Sequence, residues 1–231
     1  MLRKLCSALD GMCEPARGIH QPGSGEFLTP DMTCSVLYQG IALLRRATRS
    51  QTELHADLAK LLQIRAQSLK NANRIVEAPL AFDEAVALYR HLYADDPTQY
   101  GDELVESLWE YRSFLQIGHE DEARVIGAEL VSVARELYTK DLDALKHRTL
   151  IDHLDWYGYS LHRAGRAEEA EAAWNELVAF NRRLHDGHPT SIATKRLIDS
   201  LCPYAVFLSR AGKADEAKGA CEEYLTLSSY L

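Results

Sequence analysis

The chain of 231 residues has no apolar run near the ~18 residues that a membrane-spanning helix needs. Its opening Met1-Leu2-Arg3-Lys4-Leu5 is charged but lacks the apolar stretch of a secretory signal behind it, so the expected location is cytoplasmic, with no membrane partner. Cys-x-x-Cys is absent, and the cysteines are odd in number: Cys6, Cys13, Cys34, Cys202 and Cys221. Both facts argue against a disulfide framework or a zinc site and for reduced thiols. There is no His-Glu-x-x-His, no phosphate loop and no nucleophile elbow. His185-Asp186-Gly187-His188 holds metal-ligating residue types, but beside Pro189 it reads as a capped, exposed turn. Asp152, Asp155 and Asp199 could in principle do acid–base work, yet they read as ordinary exposed carboxylates. The expectation is no catalytic residue, no metal, no cofactor and no enzyme. An excess of basic residues is also lacking: the net charge of −8 argues against nonspecific nucleic-acid binding.

What is present is an ordinary globular composition, 46% hydrophobic and 26% charged, arranged in a repeat. Leu150-Ile151-Asp152-His153-Leu154-Asp155-Trp156-Tyr157 matches Leu197-Ile198-Asp199-Ser200-Leu201-Cys202-Pro203-Tyr204. Both run on to Leu-x-Arg-Ala-Gly-x-Ala-x-Glu-Ala, through Gly165 and Glu169-Ala170 in one copy and Gly212 and Glu216-Ala217 in the other. An earlier copy begins at Leu104 and passes Gly118 and Glu122-Ala123. The differences 165 − 118 and 212 − 165 are both 47, whereas 150 − 104 is 46, so one residue is missing just before Gly118. A weaker copy runs from Leu58 to Asn73 and Glu77-Ala78, with Asn in the glycine position as the next best residue for a left-handed turn.

Each copy reads as two helices. Leu150, Leu154, Tyr157 and Leu161 recur at helical spacing with no strand alternation, and Ala170, Trp174, Leu177 and Leu184 form the apolar face of a second helix. Ala123, Ala170 and Ala217 are expected to be buried where the second helix crosses the first. Pro79 falls in a first turn, where its missing N–H costs nothing. Asp95-Asp96-Pro97, Thr139 to Arg148 and Asp186-Gly187-His188-Pro189 read as loops between pairs, and Pro203, inside the last first-helix, as a kink or a lost hydrogen bond. Upstream, Gln39 to Arg46 reads as a lone second helix, over about 33–48.

The Gly-x-x-x-Glu-Ala turn following Leu-x-x-Tyr-x-x-x-Leu resembles the tetratricopeptide repeat. The long period, His188-Pro189-Thr190 and Glu84-Ala85-Val86-Ala87-Leu88-Tyr89-Arg90 are similar to its kinesin-light-chain-like branch. The resemblance covers about residues 36–231 and departs from the pattern where Leu62, Leu108, Leu154 and Leu201 replace an early aromatic. It implies an all-α, right-handed superhelical array of antiparallel helix pairs, an α-solenoid of about four repeats plus a preceding helix. It also implies that the first helices line a concave groove. A protein or peptide partner would then meet Lys60, Gln67, Trp109, Gln116, Asp155, Tyr159, His162 and Arg163. The Lys/Asn/Arg carboxylate clamp with which relatives hold chaperone C-termini is not matched: its positions hold Gln63, Gln67, Ser113, Asp155 and Tyr159, with two acidic or neutral side chains in place of the required cations.

Residues 33–231 are thus expected to form a repeat domain. Residues 1–32 stand apart as an amphipathic segment and linker. Gly23-Ser24-Gly25-Glu26-Phe27 leaves open whether this front is a native docking helix or a grafted or vector-derived peptide. Residues 1–76 carry a net +4 and residues 77–231 a net −12. The expected function is a protein–protein interaction scaffold holding a peptide or helix in the groove. The alternative is an oligomerising or regulatory module of a larger signalling assembly, with a second copy covering the C-terminal helix pair.

Overall fold

The computed structural model describes residues 37–42, 52–138 and 144–229. Every regular element among them is helical: α1 over 37–42, α2 Thr52–Asn71, α3 Ala78–Asp95, α4 Pro97–Leu115, α5 Glu120–Tyr138, α6 Ala144–Arg163, α7 Ala167–Gly187, α8 Ser191–Arg210 and α9 Ala214–Ser228. The expected boundary at residue 32 lies outside the described residues, as do most of the expected first helix, the amphipathic front and residues 139–143 of the expected Thr139–Arg148 loop, whose second half is instead the start of α6. The chain divides within α5 into two compact units, Met1–Ala123 and Arg124–Leu231.

The short links follow from local chemistry. Between α2 and α3, α6 and α7, and α8 and α9, the chain reverses through one residue with positive φ: Asn73 at 58°, Gly165 at 75° and Gly212 at 79°. The next backbone N–H reaches back to the helix, Arg74 to the Leu69 carbonyl, Arg166 to Leu161 and Lys213 to Leu208, which satisfies a carbonyl that the helix end leaves open. At Gly118, with φ 94°, the same bond runs from His119 to Leu115, one residue closer. The residue missing from the sequence is therefore absorbed in the turn. Between α3 and α4 the expected loop shrinks to Asp96 alone. Its carboxylate accepts from the N–H groups of Thr98 and Gln99, and Pro97 starts the next helix, so a cap and a proline replace a loop. Pro79 lies in the first turn of α3. Before α8, Thr190 caps through its hydroxyl to the Ala193 N–H. Helix α8 continues through Pro203 to Arg210, so the expected kink does not end it.

In the first unit, Leu37 and Ile41 of α1 pack with Leu58, Leu61, Leu62 and Ile64 of α2 and Ala85 of α3. Phe82 of α3 stacks on Tyr111 of α4 at 5.4 Å and meets Phe114 at the same distance. Such ring pairs add about 0.5–1.5 kcal/mol beyond the area that they bury. In the second unit the crossings use size exchange. Trp156 of α6 sits where Gly127 of α5 has no side chain, and Trp174 of α7 sits over Gly158 of α6. Ala123, Ala170 and Ala217 are buried as expected. The outer sides of the second helices are clasped at a constant interval: Arg135 grips Glu176 with two bonds of 2.7 Å, and Arg182 grips Glu223 at 2.8 Å. Tyr204 of α8 donates to Asn175 of α7, and Lys213 pairs with Glu171.

A Cβ added at Gly158 would lie 2.9 Å from the Trp174 indole nitrogen, whereas one added at Gly219 meets nothing within 4 Å. Gly158→Ala is expected to lower stability by about 1–3 kcal/mol through overpacking. Gly219→Ala, inside α9, is expected to raise it by roughly 0.5–1 kcal/mol. Thermal melts of the two variants should shift in opposite directions; equal shifts of the same sign would contradict this packing.

Candidate functional site

Helices α2, α4, α6 and α8 are the first members of their pairs. Each buries one side and leaves a strip of side chains open. On α2 the strip is Lys60, Gln63, Gln67 and Lys70, with Gln67 donating to the Asn71 side chain at 3.2 Å. On α4 it is Glu106, Trp109, Ser113 and Gln116, the last just beyond the helix end. On α6 it is Asp152, Asp155, Tyr159 and His162, with exposed Arg163 beside them, and on α8 Asp199, Cys202, Val206 and Ser209. Trp109 is 45% exposed and Tyr159 59%. The eight residues anticipated from the sequence all lie on exposed or half-exposed positions, Lys60, Gln67, Trp109 and Gln116 in the first unit and Asp155, Tyr159, His162 and Arg163 in the second.

The first unit joins its two strips through a residue that sequence reasoning missed. Glu110 is half-buried between α2 and α4, and its Oε2 has no hydrogen-bond partner. Loss of water raises its carboxyl above the usual value. A hydrogen bond from Gln63 opposes the rise, Glu106 adds to it, and Lys70 opposes it. The available signal was a charge standing where the later copies carry Trp156 and Pro203. Close by, Arg112 is buried with its guanidinium 3.2 Å from the Ser113 hydroxyl, and burial lowers it to about 10.

In the second unit the strip is built over an aromatic cluster. Trp174 is buried, with ring centroids 4.8 Å from Phe207 and 5.8 Å from His162, and His162 meets Phe207 edge-on at 5.4 Å. His162 is thus partly engaged in packing. Asp155 stands over this cluster. Loss of water raises its carboxyl, the Trp174 indole N–H lowers it in part, and Asp152 raises it further. The Trp174 nitrogen itself is buried without a hydrogen bond of full geometry, its N–H directed at that carboxylate. The sequence pattern places Trp174 on the apolar face of its helix but gives no sign of its meeting Phe207 and His162. Among the described residues no group of three His, Cys, Asp or Glu side chains gathers as metal ligands, and no helix is long and apolar enough to cross a membrane.

No protein-family model and no curated protein matches the sequence. Solved structures do match the fold. A Podosopora anserina protein assigned as a kinesin light chain with nearly identical TPR-like repeats aligns at 15% identity over 99% of this chain and 95% of its own, with a TM-score of 0.61. A variant of that protein with a single substitution aligns at 15% identity over the same shares, with a TM-score of 0.60. BtubC (BKLC) from P. vanneervenii aligns at 13% identity, over 99% of this chain and 91% of its own, with a TM-score of 0.54. The chain has the TPR-like helical-repeat fold of these kinesin-light-chain structures, an all-α solenoid built of helix pairs.

Because the folded protein raises the Glu110 carboxyl above 4.5, the native state holds a proton that the unfolded chain releases. Stability therefore falls as pH rises through the window from 4.5 to the raised value. Glu110→Gln keeps the acceptor for Gln63 and removes the charge. It is expected to melt roughly 1–3 °C above the unsubstituted protein at neutral pH. The difference should vanish in acid, where both side chains are neutral; a difference independent of pH would contradict the assignment.

Proposed function

We propose that the chain is a non-enzymatic, cytoplasmic scaffold that holds a peptide or helix of another protein in the groove lined by its first helices. TPR-like repeat folds serve protein–protein interaction. The observation that carries the reading is the placement of Trp109 and Tyr159. Other aromatics of α4 and α8, Tyr111, Phe114, Tyr204 and Phe207, are buried, while these two large amphipathic rings stay open on the strips. Rings of this kind anchor interfaces, because they bury much area and lose little side-chain freedom.

A second reading, self-association through the C-terminal pair, has one observation in its favour. Leu225 of α9 is 65% exposed, whereas Val178, one period earlier on α7, is 1% exposed beneath the following helices. Against it, Lys218, Glu222 and Ser229 stand one period after Glu171, Asn175 and Arg182, the residues by which α7 holds α8 and α9. They leave that face mostly polar.

The test is affinity capture with the full chain, with and without residues 1–32, followed by titration of the captured partner. Trp109→Ala is expected to weaken binding by about 2 kcal/mol, roughly thirtyfold in Kd. A partner that binds the variant with unchanged affinity places the site elsewhere. A mass that grows with concentration in light scattering, with no partner captured, favours the second reading.

A further inference from the structure

Within the second unit, three second-helix carboxylates are matched by cations of a neighbouring helix or turn: Glu176 by Arg135, Glu223 by Arg182 and Glu171 by Lys213. On the first helices, Asp155 and Asp199 make no ion pair with any described residue, although both are exposed. Asp155 has moreover lost part of its water to the aromatic cluster below it and has Asp152 for a neighbour, so its charge is neither hydrated in full nor neutralised.

The two carboxylates stand within about one turn of each other. Helices α6 and α8 run in the same direction, since the chain reverses once into α7 and once out of it. His162 of α6 touches Phe207 of α8, which fixes their relative height. Asp155 lies seven residues before His162 and Asp199 eight before Phe207. At about 1.5 Å of rise per residue, and with Asp199 one 47-residue period after Asp152, the two carboxylates lie within about one turn of each other along the helices. About one turn further along α6 comes Tyr159, 59% exposed, and about two turns along α8 comes Val206, 48% exposed. Under Asp155 lies the buried Trp174 nitrogen, which lacks a complete hydrogen bond and points into the same spot.

We propose that the strip of α6 and α8 docks a segment of a partner protein through a lysine or arginine side chain set between Asp155 and Asp199, with an apolar residue of the same segment against Tyr159 and Val206. The inference deepens the scaffold reading and rests on it. A cation there replaces the water that Asp155 has lost. The methylene stem of lysine or arginine suits a strip with acidic side chains and an aromatic ring a turn away. Charge complementarity selects the partner, because an acidic segment would meet like charge at Asp152, Asp155 and Asp199 together.

The experiment pans a phage-displayed random dodecapeptide library on the full chain. It then measures Kd of the enriched peptides for the full chain, for Asp155→Asn combined with Asp199→Asn, and for Glu168→Gln, an exposed charge on α7. The expected result is enrichment of arginine or lysine with a nearby apolar residue, a loss on the order of tenfold in the double variant, and little change in Glu168→Gln. Enriched peptides that are neutral or acidic, or that bind the double variant unchanged, overturn the inference and leave the scaffold reading standing. Competition of the peptides by self-association of the chain through its own basic residues 1–76 also overturns it. A library from which nothing is enriched overturns both.

Discussion

A chain that must reverse direction within two or three residues, several times over, depends on one backbone requirement: at the end of each first helix a residue must accept positive φ. Asn73, Gly118, Gly165 and Gly212 meet it. The residues just after each of these turns keep nearly constant roles. A basic residue closes the helix end through its N–H, and its side chain then pairs with a glutamate three residues on, as in Arg74–Glu77, His119–Glu122, Arg166–Glu169 and Lys213–Glu216. These surface pairs contribute little each, because water and salt screen them. The positive-φ residue and the backbone bond after it set where the second helix starts, and with it which alanine meets the crossing. Once Ala123, Ala170 and Ala217 are in place, the two helices of a pair approach closely, and the first helix keeps its strip open on the side away from the crossing.

That backbone requirement is also why the fold was legible. Glycine at a fixed interval, followed by Glu-Ala, is a pattern that composition noise does not produce, and the single deletion before Gly118 could be located by counting. Link lengths were less legible. Asp95-Asp96-Pro97 looks like a loop because aspartate and proline are common in loops, yet the same two residue types form the tightest start that a helix can have. Pro203 looked disruptive and is carried within α8.

The strips were legible as positions but not as chemistry. Helical counting put Lys60, Trp109, Asp155 and Tyr159 on open faces, because exposure follows from periodicity alone. Glu110 and the cluster of Trp174, Phe207 and His162 were not foreseen. They depend on which side chains of neighbouring helices stand level with one another, and that is decided by packing between helices rather than within one. The difference between Glu171, Glu176 and Glu223, which are paired, and Asp155 and Asp199, which are not, is likewise invisible in the net charge, which sums both.

The glycine under Trp174 carries a consequence for inheritance. In the next repeat the same two positions hold Ala205 and Cys221, one period beyond Gly158 and Trp174. Where the first helix keeps no side chain the second carries the largest, and where the first gains a methyl the second has shrunk to a thiol. The two sites trade volume inside a single chain. A lineage of such proteins can change either member only in step with the other, so the pair should covary among relatives.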